Sequence, residues 1–267
     1  MNADVTERSE ERRARESVVE VGRRLWTRGL VGGSEGNVSI RLGTSVLATP
    51  SGACKGFLSP EDLVLTDLEG SPLAGQAAPS SELRMHLRIY RLRSDVRAVV
   101  HAHPPTATGF AIAGEALDEC VIPEVISTLG RVPIVPYGTP STEELPDRLA
   151  PYVASHDALL LANHGVVAYA GRLARAIDIM ESIEQAARSL LTARLLGRVQ
   201  RLSREEVDRL MSLDAYGVTV RNPGCLITDP EPLGGRAYAA GPDDADEESL
   251  RRRIAAIVRE TLDGGRP

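Results

Sequence analysis

Apolar positions recur along this chain with two periods, and the changes of period mark its elements. Val18, Val21, Leu25 and Trp26 fall at helical spacing, and Gly29 closes that helix; the polar residues from Met1 to about Ser9 are expected to fray. Segments 38–41 and 45–48 read as strands of a hairpin around Gly43, followed by a helical turn at Ser59-Pro60-Glu61-Asp62, a short strand at 63–65 and a turn region from Asp67 to Gly75. Leu83, Leu87 and Tyr90 define an amphipathic helix over 82–93 with Ser80 or Ser81 as N-cap. A strand at 96–100 follows, then a short helix at 106–112. Segment 132–137 reads as an edge strand, because its prolines cannot donate to a ladder. Ser141-Thr142-Glu143-Glu144 spells a capping box ahead of a helix through Val153, and the apolar run 158–161 reads as a buried strand paired with 166–169. A long helix over 173–196, ended by Gly197, carries the core stripe Leu173, Ile177, Met180, Ile183, Ala187 and Leu190, and Ser203-Arg204-Glu205-Glu206 caps another. Residues 222–246 are rich in Gly, Pro and Asp and read as a linker to a last helix bearing Leu250, Ile254, Ile257 and Leu262. Strands and helices alternate, yet several strand pairs are joined by short loops. This predicts an α/β fold with a mixed, largely antiparallel sheet and helices on both faces.

Composition narrows the class. A chain of 267 residues with 42% hydrophobic content can bury a sizeable core. Acidic residues number 37 against 31 basic ones, and the net charge of −6 argues against a nucleic-acid surface. Lys55 is the sole lysine. Cys54, Cys120 and Cys225 are far apart and odd in number; they match neither a disulfide framework nor a zinc knuckle, which points to a reducing compartment. No apolar run reaches membrane-spanning length, and the charged N-terminal stretch is no signal peptide, so a cytoplasmic enzyme is expected.

The candidate chemistry centres on His101-Ala102-His103, which ends a strand that Pro104-Pro105 then stops. Side chains two apart on a strand point the same way, so the two imidazoles converge. His164, in Asn163-His164-Gly165, ends the strand at 158–161, and Glu82 opens a helix upstream. Three neutral imidazoles and a carboxylate suit a divalent transition metal, zinc first, with manganese, cobalt or iron(II) as alternatives. His-x-His alone is a weak motif. His86, within an amphipathic helix, and His156, before a strand, read as structural.

Three loops are rich in small hydrogen-bonding residues: Ser34 to Asn37, Thr49 to Gly52, and Ser80-Ser81. Each taken singly reads as a turn. Together their backbone N–H groups and hydroxyls could hold a phosphate, and Ser80-Ser81 also lies at a helix N-terminus, where the dipole favours an anion. No nucleotide fingerprint is present.

Gly36-Asn37-Val38-Ser39-Ile40-Arg41, Thr49-Pro50-Ser51-Gly52, Ser80-Ser81-Glu82, His101-Ala102-His103 and Asn163-His164-Gly165 occur in the order found in the class II aldolase/adducin family. Over residues 14–218 the chain resembles that family, closest to its L-fuculose-1-phosphate aldolases. The resemblance implies a three-layer α/β/α fold, a homotetramer, a zinc site and a small phosphorylated sugar as substrate. Its metal histidines correspond to His101, His103 and His164, and its acid/base glutamate, also a metal ligand when substrate is absent, to Glu82. Its phosphate-binding positions correspond to Ser34, Asn37, Ser51, Gly52, Ser80 and Ser81. The chain departs from the family near Glu124, where a proton-donating tyrosine is expected; Tyr137 matches a different tyrosine. The family domain is thus expected over 1–218, with 219–267 a C-terminal extension.

The activity so implied is cleavage of a ketose 1-phosphate, either L-fuculose 1-phosphate or a 5-deoxypentulose 1-phosphate, to dihydroxyacetone phosphate and an aldehyde. Cleavage needs an electron sink, a lysine imine or a metal. Lys55 follows a Gly-Ala-Cys turn and reads as a poor candidate for a desolvated imine lysine, which leaves the metal. Rival activities on the same fold are a pentulose-phosphate 4-epimerase, which carries aspartate where Glu82 stands, a methylthioribulose-1-phosphate dehydratase and a decarboxylase. An adducin-like binding module lacks the metal ligands.

Overall fold

Eight strands form one sheet in the order β4-β3-β2-β1-β5-β8-β7-β6. They are β1 (Asn37–Leu42), β2 (Ser45–Ala48), β3 (Val64–Asp67), β4 (Pro72–Ala74), β5 (Ala98–Ala102), β6 (Ile134–Val135), β7 (Ala158–Leu161) and β8 (Gly165–Ala170). The computed structural model describes residues 2–213 and Cys225, all within one compact unit. Every strand pair is antiparallel except β6 with β7. The predicted mixed, largely antiparallel sheet is therefore present.

Alternation along the strands divides two cores. Ala98, Val100 and Ala102 of β5, Ala158 and Leu160 of β7, and Val166, Ala168 and Ala170 of β8 face α1 (Asn2–Thr27), α3 (Pro105–Ala113) and α6 (Leu173–Leu195). Val99 of β5, Leu159 and Leu161 of β7, and Val167 and Tyr169 of β8 face α2 (Leu83–Leu92) and α5 (Glu144–Val153). The result is a three-layer α/β/α arrangement. The central strands β7 and β8 are apolar on both faces because each face is covered, the pattern expected of a sheet sandwiched between helices.

Most predicted elements are present, and the departures have local causes. The first helix begins at Asn2, so the expected fraying to Ser9 is replaced by helix. The region read as turns from Asp67 to Gly75 contains β4, a short exposed edge strand. The N-cap of α2 is Glu82 rather than Ser80 or Ser81; the Ser80 hydroxyl instead accepts the Glu82 N–H at 3.3 Å. The capping box expected before α5 does not close: the Thr142 hydroxyl accepts the Glu144 N–H, but the Glu144 carboxylate turns back to the Thr139 N–H. The box at Ser203 does close on α7 (Arg204–Met211). An unpredicted short helix, α4 (Pro123–Thr128), packs Ile126 against Val207. Beside it Cys120 and Cys225 are joined in a disulfide, which corrects the expectation of three unpaired cysteines; only Cys54 is free among the described residues. A separation of 105 residues has no local signature in the sequence. The expected linker and last helix in 219–267 lie outside the described residues. No helix among the described residues is long and apolar enough to cross a membrane.

Candidate metal centre

The site sits where β5 and the β7–β8 turn end on the α2 face. His101 is on β5, shares a face with Val99, and is fully buried. His103 follows just past the strand end, two residues on. His164 is brought back toward them by a tight turn in which Asn163 adopts a left-handed conformation (φ 57°), one that asparagine tolerates better than most residues. A Cβ on Gly165 would come within 2.6 Å of both the Ala102 carbonyl and the His103 ring, so a side chain there would displace the imidazole. Gly36 does the same for the loop before β1, since a Cβ there would lie 2.7 Å from the His101 carbonyl.

The candidate ligand atoms of His101, His103 and His164 all lie within 4.8 Å of one another. His101 Nδ1 lies 2.9 Å from the Val166 carbonyl. A carbonyl only accepts, so Nδ1 carries a proton and Nε2 is the nitrogen turned inward. That Nε2 is 3.1 Å from Nε2 of His103. Glu82 completes the group: Oε1 is 3.1 Å from His164 Nε2 and Oε2 is 3.4 Å from His101 Nε2. The arrangement fits a divalent cation, because it gathers inward-facing imidazole lone pairs and a carboxylate in one place and fixes one tautomer from behind. The His103 side chain is 24% exposed and that of His164 10%, so the cluster opens on the His103 side.

Electrostatics follow from this crowding. Burial pushes the Glu82 carboxyl up, but His101 and His164 together outweigh it and hold the group well below the usual carboxylate range. Burial, then the neighbouring His101 and His164, lower His103 to about 3. Among the residues singled out from the sequence, Asn37 donates from Nδ2 to Glu82 Oε2 at 2.8 Å, so in this state it serves the Glu82 carboxylate. The Ser81 hydroxyl accepts one from Ser141 at 2.8 Å. Ser51 N–H bonds the Ala78 carbonyl and Ser80 N–H bonds the Thr49 carbonyl, which brings the 49–52 and 80–81 loops together. Ser34, Ser51, Gly52 and Ser81 are exposed. Tyr137 is exposed too, and Glu124 lies in the first turn of α4.

Two residues near the site escaped the sequence reading. Glu35 Oε2 stands 3.7 Å from His103 Nδ1. Lys55, read after its turn as a poor candidate for a desolvated imine lysine, is 1% exposed, with its ammonium donating to the Ser34 and Ala53 carbonyls. Neither has a spacing motif that would reveal it.

His86 and His156 do not join the cluster. His86 is buried under it, with Nδ1 2.8 Å from the Ser39 hydroxyl, which also bonds Tyr90. Burial, with help from His101 and against Glu82, pushes His86 down to about 3. The unfolded chain, with histidine near 6.5, therefore binds more protons than the folded one at intermediate pH. The contribution of neutral His86 is full above about 6.5 and declines as pH falls from there toward about 3. His86→Gln should accordingly lose less stability than the parent between pH 7.5 and 5, as read from urea midpoints; equal losses would contradict a buried neutral ring.

The family model described as Class II Aldolase and Adducin N-terminal domain matches residues 16–191. A 3-oxo-tetronate 4-phosphate decarboxylase of Pectobacterium atrosepticum is 38% identical over 186 residues, covering 67% of this chain and 84% of that protein. A 5-deoxy-D-ribulose 1-phosphate aldolase of Bacillus thuringiensis is 35% identical over 207 residues, 76% of this chain and 96% of that protein. A solved structure of an L-fuculose 1-phosphate aldolase superposes with a TM-score of 0.69 at 31% identity, covering 74% of this chain and 94% of that one.

Proposed function

The chain belongs to the class II aldolase and adducin family, and from that premise we propose that it is a metal-dependent lyase cleaving a ketose 1-phosphate to dihydroxyacetone phosphate and an aldehyde. The observation that carries this reading is the meeting of three imidazoles with Glu82 beside the polar loops. His101, His103, His164 and, in the resting state, Glu82 hold the cation, zinc first and manganese, cobalt or iron(II) otherwise. When bound, the cation supplies Lewis acidity that stabilises negative charge on the substrate's ketone oxygen. Glu82 moves a proton at the carbon alpha to that ketone, and Asn37, already bonded to it, steadies the carboxylate as it turns. Ser34, Asn37, Ser51, Gly52, Ser80 and Ser81 receive the phosphate. Glu124 stands near the family tyrosine's place, and the second proton donor is unassigned.

A second reading, a decarboxylase, is favoured by the similarity to the 3-oxo-tetronate 4-phosphate enzyme. The two reactions share their hard step. Retro-aldol cleavage and loss of carbon dioxide from a 3-oxo acid both break the bond to the carbon alpha to a ketone, and both leave an enediolate of dihydroxyacetone phosphate. The same sink and the same Glu82 serve either; only the departing group differs. Assays on L-fuculose 1-phosphate, 5-deoxyribulose 1-phosphate and 3-oxo-tetronate 4-phosphate, with and without chelator, separate them. Aldehyde release from the ketose phosphates supports the aldolase, and activity that survives thorough chelation sinks both readings.

The rest of the proposal is a homotetrameric cytoplasmic enzyme whose family domain spans 1–218, with 219–267 an extension. In a reducing cytoplasm the Cys120–Cys225 bond would open. The phosphate positions carry their own prediction. Ser81→Ala should weaken binding of phosphorylated substrate by about ten- to a hundredfold, the scale of one hydrogen bond to a charged group, with metal content unchanged. Equal turnover of free and phosphorylated ketoses would remove the phosphate site altogether.

A further inference from the structure

Lys55 is the chain's sole lysine, and it is buried at 1% exposure. Its Nζ donates to the Ser34 carbonyl at 2.8 Å and the Ala53 carbonyl at 2.5 Å. The Ser34 carbonyl belongs to one of the three polar loops and Ala53 directly follows a second, the 49–52 loop, which the Ser80–Thr49 backbone bond joins to the third. An ammonium has three donors, and two neutral carbonyls use two of them. Among the described residues no carboxylate forms an ion pair with it; Glu82 and Cys54 act on it only at a distance. Burying a charge without an opposite charge is costly, and buried charges are normally paired. Burial accordingly pushes the Lys55 ammonium down, against the pull of Cys54 and Glu82. The fold thus keeps a desolvated cation beneath loops whose outer surface offers the Ser34, Ser51 and Ser81 hydroxyls, with no ion-pair partner among the described residues.

We propose that Lys55 is the internal counter-charge of the anion site: from below it ties the 34–37 loop to Ala53 at the end of the 49–52 loop, and a phosphate monoester bound on those loops supplies the missing negative charge. It is a positioning residue, acting through the Ser34 and Ala53 carbonyls and through its field, without touching the substrate. The inference rests on the phosphate reading above and adds a residue to it.

The test uses the metal-loaded protein. Calorimetry compares inorganic phosphate, dihydroxyacetone phosphate and dihydroxyacetone on the parent and on Lys55→Met, which keeps an unbranched side chain one atom shorter and loses the charge. Affinity for both phosphates should fall about ten- to a hundredfold, as expected for a unit charge roughly 6–12 Å away at an effective dielectric of about 20. Affinity for dihydroxyacetone and the metal content should be retained, and KM for the phosphorylated substrate should rise more than kcat falls. Because Lys55 is the only lysine, protein labelled with 13C at lysine Cε gives one lysine signal, so the unaltered chain provides a second measurement should Lys55→Met fold poorly. That signal should shift on titration with inorganic phosphate and saturate at the calorimetric Kd. Phosphate binding by the parent with an unmoved lysine signal, or equal phosphate affinity in a folded Lys55→Met, overturns the role of Lys55 alone. A parent that binds phosphate no better than dihydroxyacetone overturns the phosphate reading and this inference with it.

Discussion

Glu82→Gln is expected to keep its metal, to bind substrate, and to lose bond cleavage by about 10²–10⁴-fold, the usual contribution of a positioned general acid–base. The expectation follows from the two things the carboxylate does. Its oxygens lie 3.1 and 3.4 Å from His164 and His101, which suits a ligand, and Asn37 holds it at 2.8 Å from outside the cluster, which gives it somewhere to turn. Glutamine retains the shape and one coordinating oxygen but exchanges no proton at neutral pH. A purely structural ligand would therefore show its loss mainly as lost metal, and an acid–base mainly as lost turnover. A second readout isolates the proton transfer. The parent should exchange the C3 proton of dihydroxyacetone phosphate with deuterated solvent in the absence of aldehyde, and Glu82→Gln should not. Parental exchange rates in the variant would show that another residue is the base. Since decarboxylation and retro-aldol cleavage leave the same enediolate, this experiment tests Glu82 under either reading.

His103→Ala should leave the protein folded but largely without metal. Losing an outer partner of a ligand typically costs about 10–100-fold in metal affinity, and losing a ligand itself costs more. His103 is the most exposed of the three imidazoles, at 24%, and its Nε2 stands 3.1 Å from that of His101. Its removal therefore opens the cluster while His101, fully buried on β5, keeps its bond to Val166. Elemental analysis after gel filtration should find the parent near one metal per chain and the variant far below. Zinc should raise the unfolding temperature of the metal-stripped parent and change that of the variant little, since only a ligand bound to the native state stabilises it. Full occupancy in His103→Ala would exclude the three-histidine centre.

Comparison of the chain with its structure separates two kinds of information. Local rules of period and punctuation were sufficient for the hairpin of β1 and β2, the pairing of β7 with β8, the core stripe of α6 and the common direction of His101 and His103, because each depends on neighbours a few residues away. The alternation of strands with helices likewise implied helices on both sides of the sheet. The tertiary structure alone decided what depends on residues far apart. It set the burial of Lys55 beneath the Ser34 loop, the engagement of Asn37 by Glu82, the bond from Ser141 to Ser81 and the Cys120–Cys225 pairing. It also decided that Glu144 turns to Thr139 in place of a capping box. For Lys55 and the Asn37–Glu82 pair, the choice fell to whichever partner packing brought within hydrogen-bond reach, since a buried polar group left unpaired costs more than a local preference gains. The Cys120–Cys225, Ser141–Ser81 and Thr139–Glu144 pairings depend on where the chain returns in space, which no local pattern encodes.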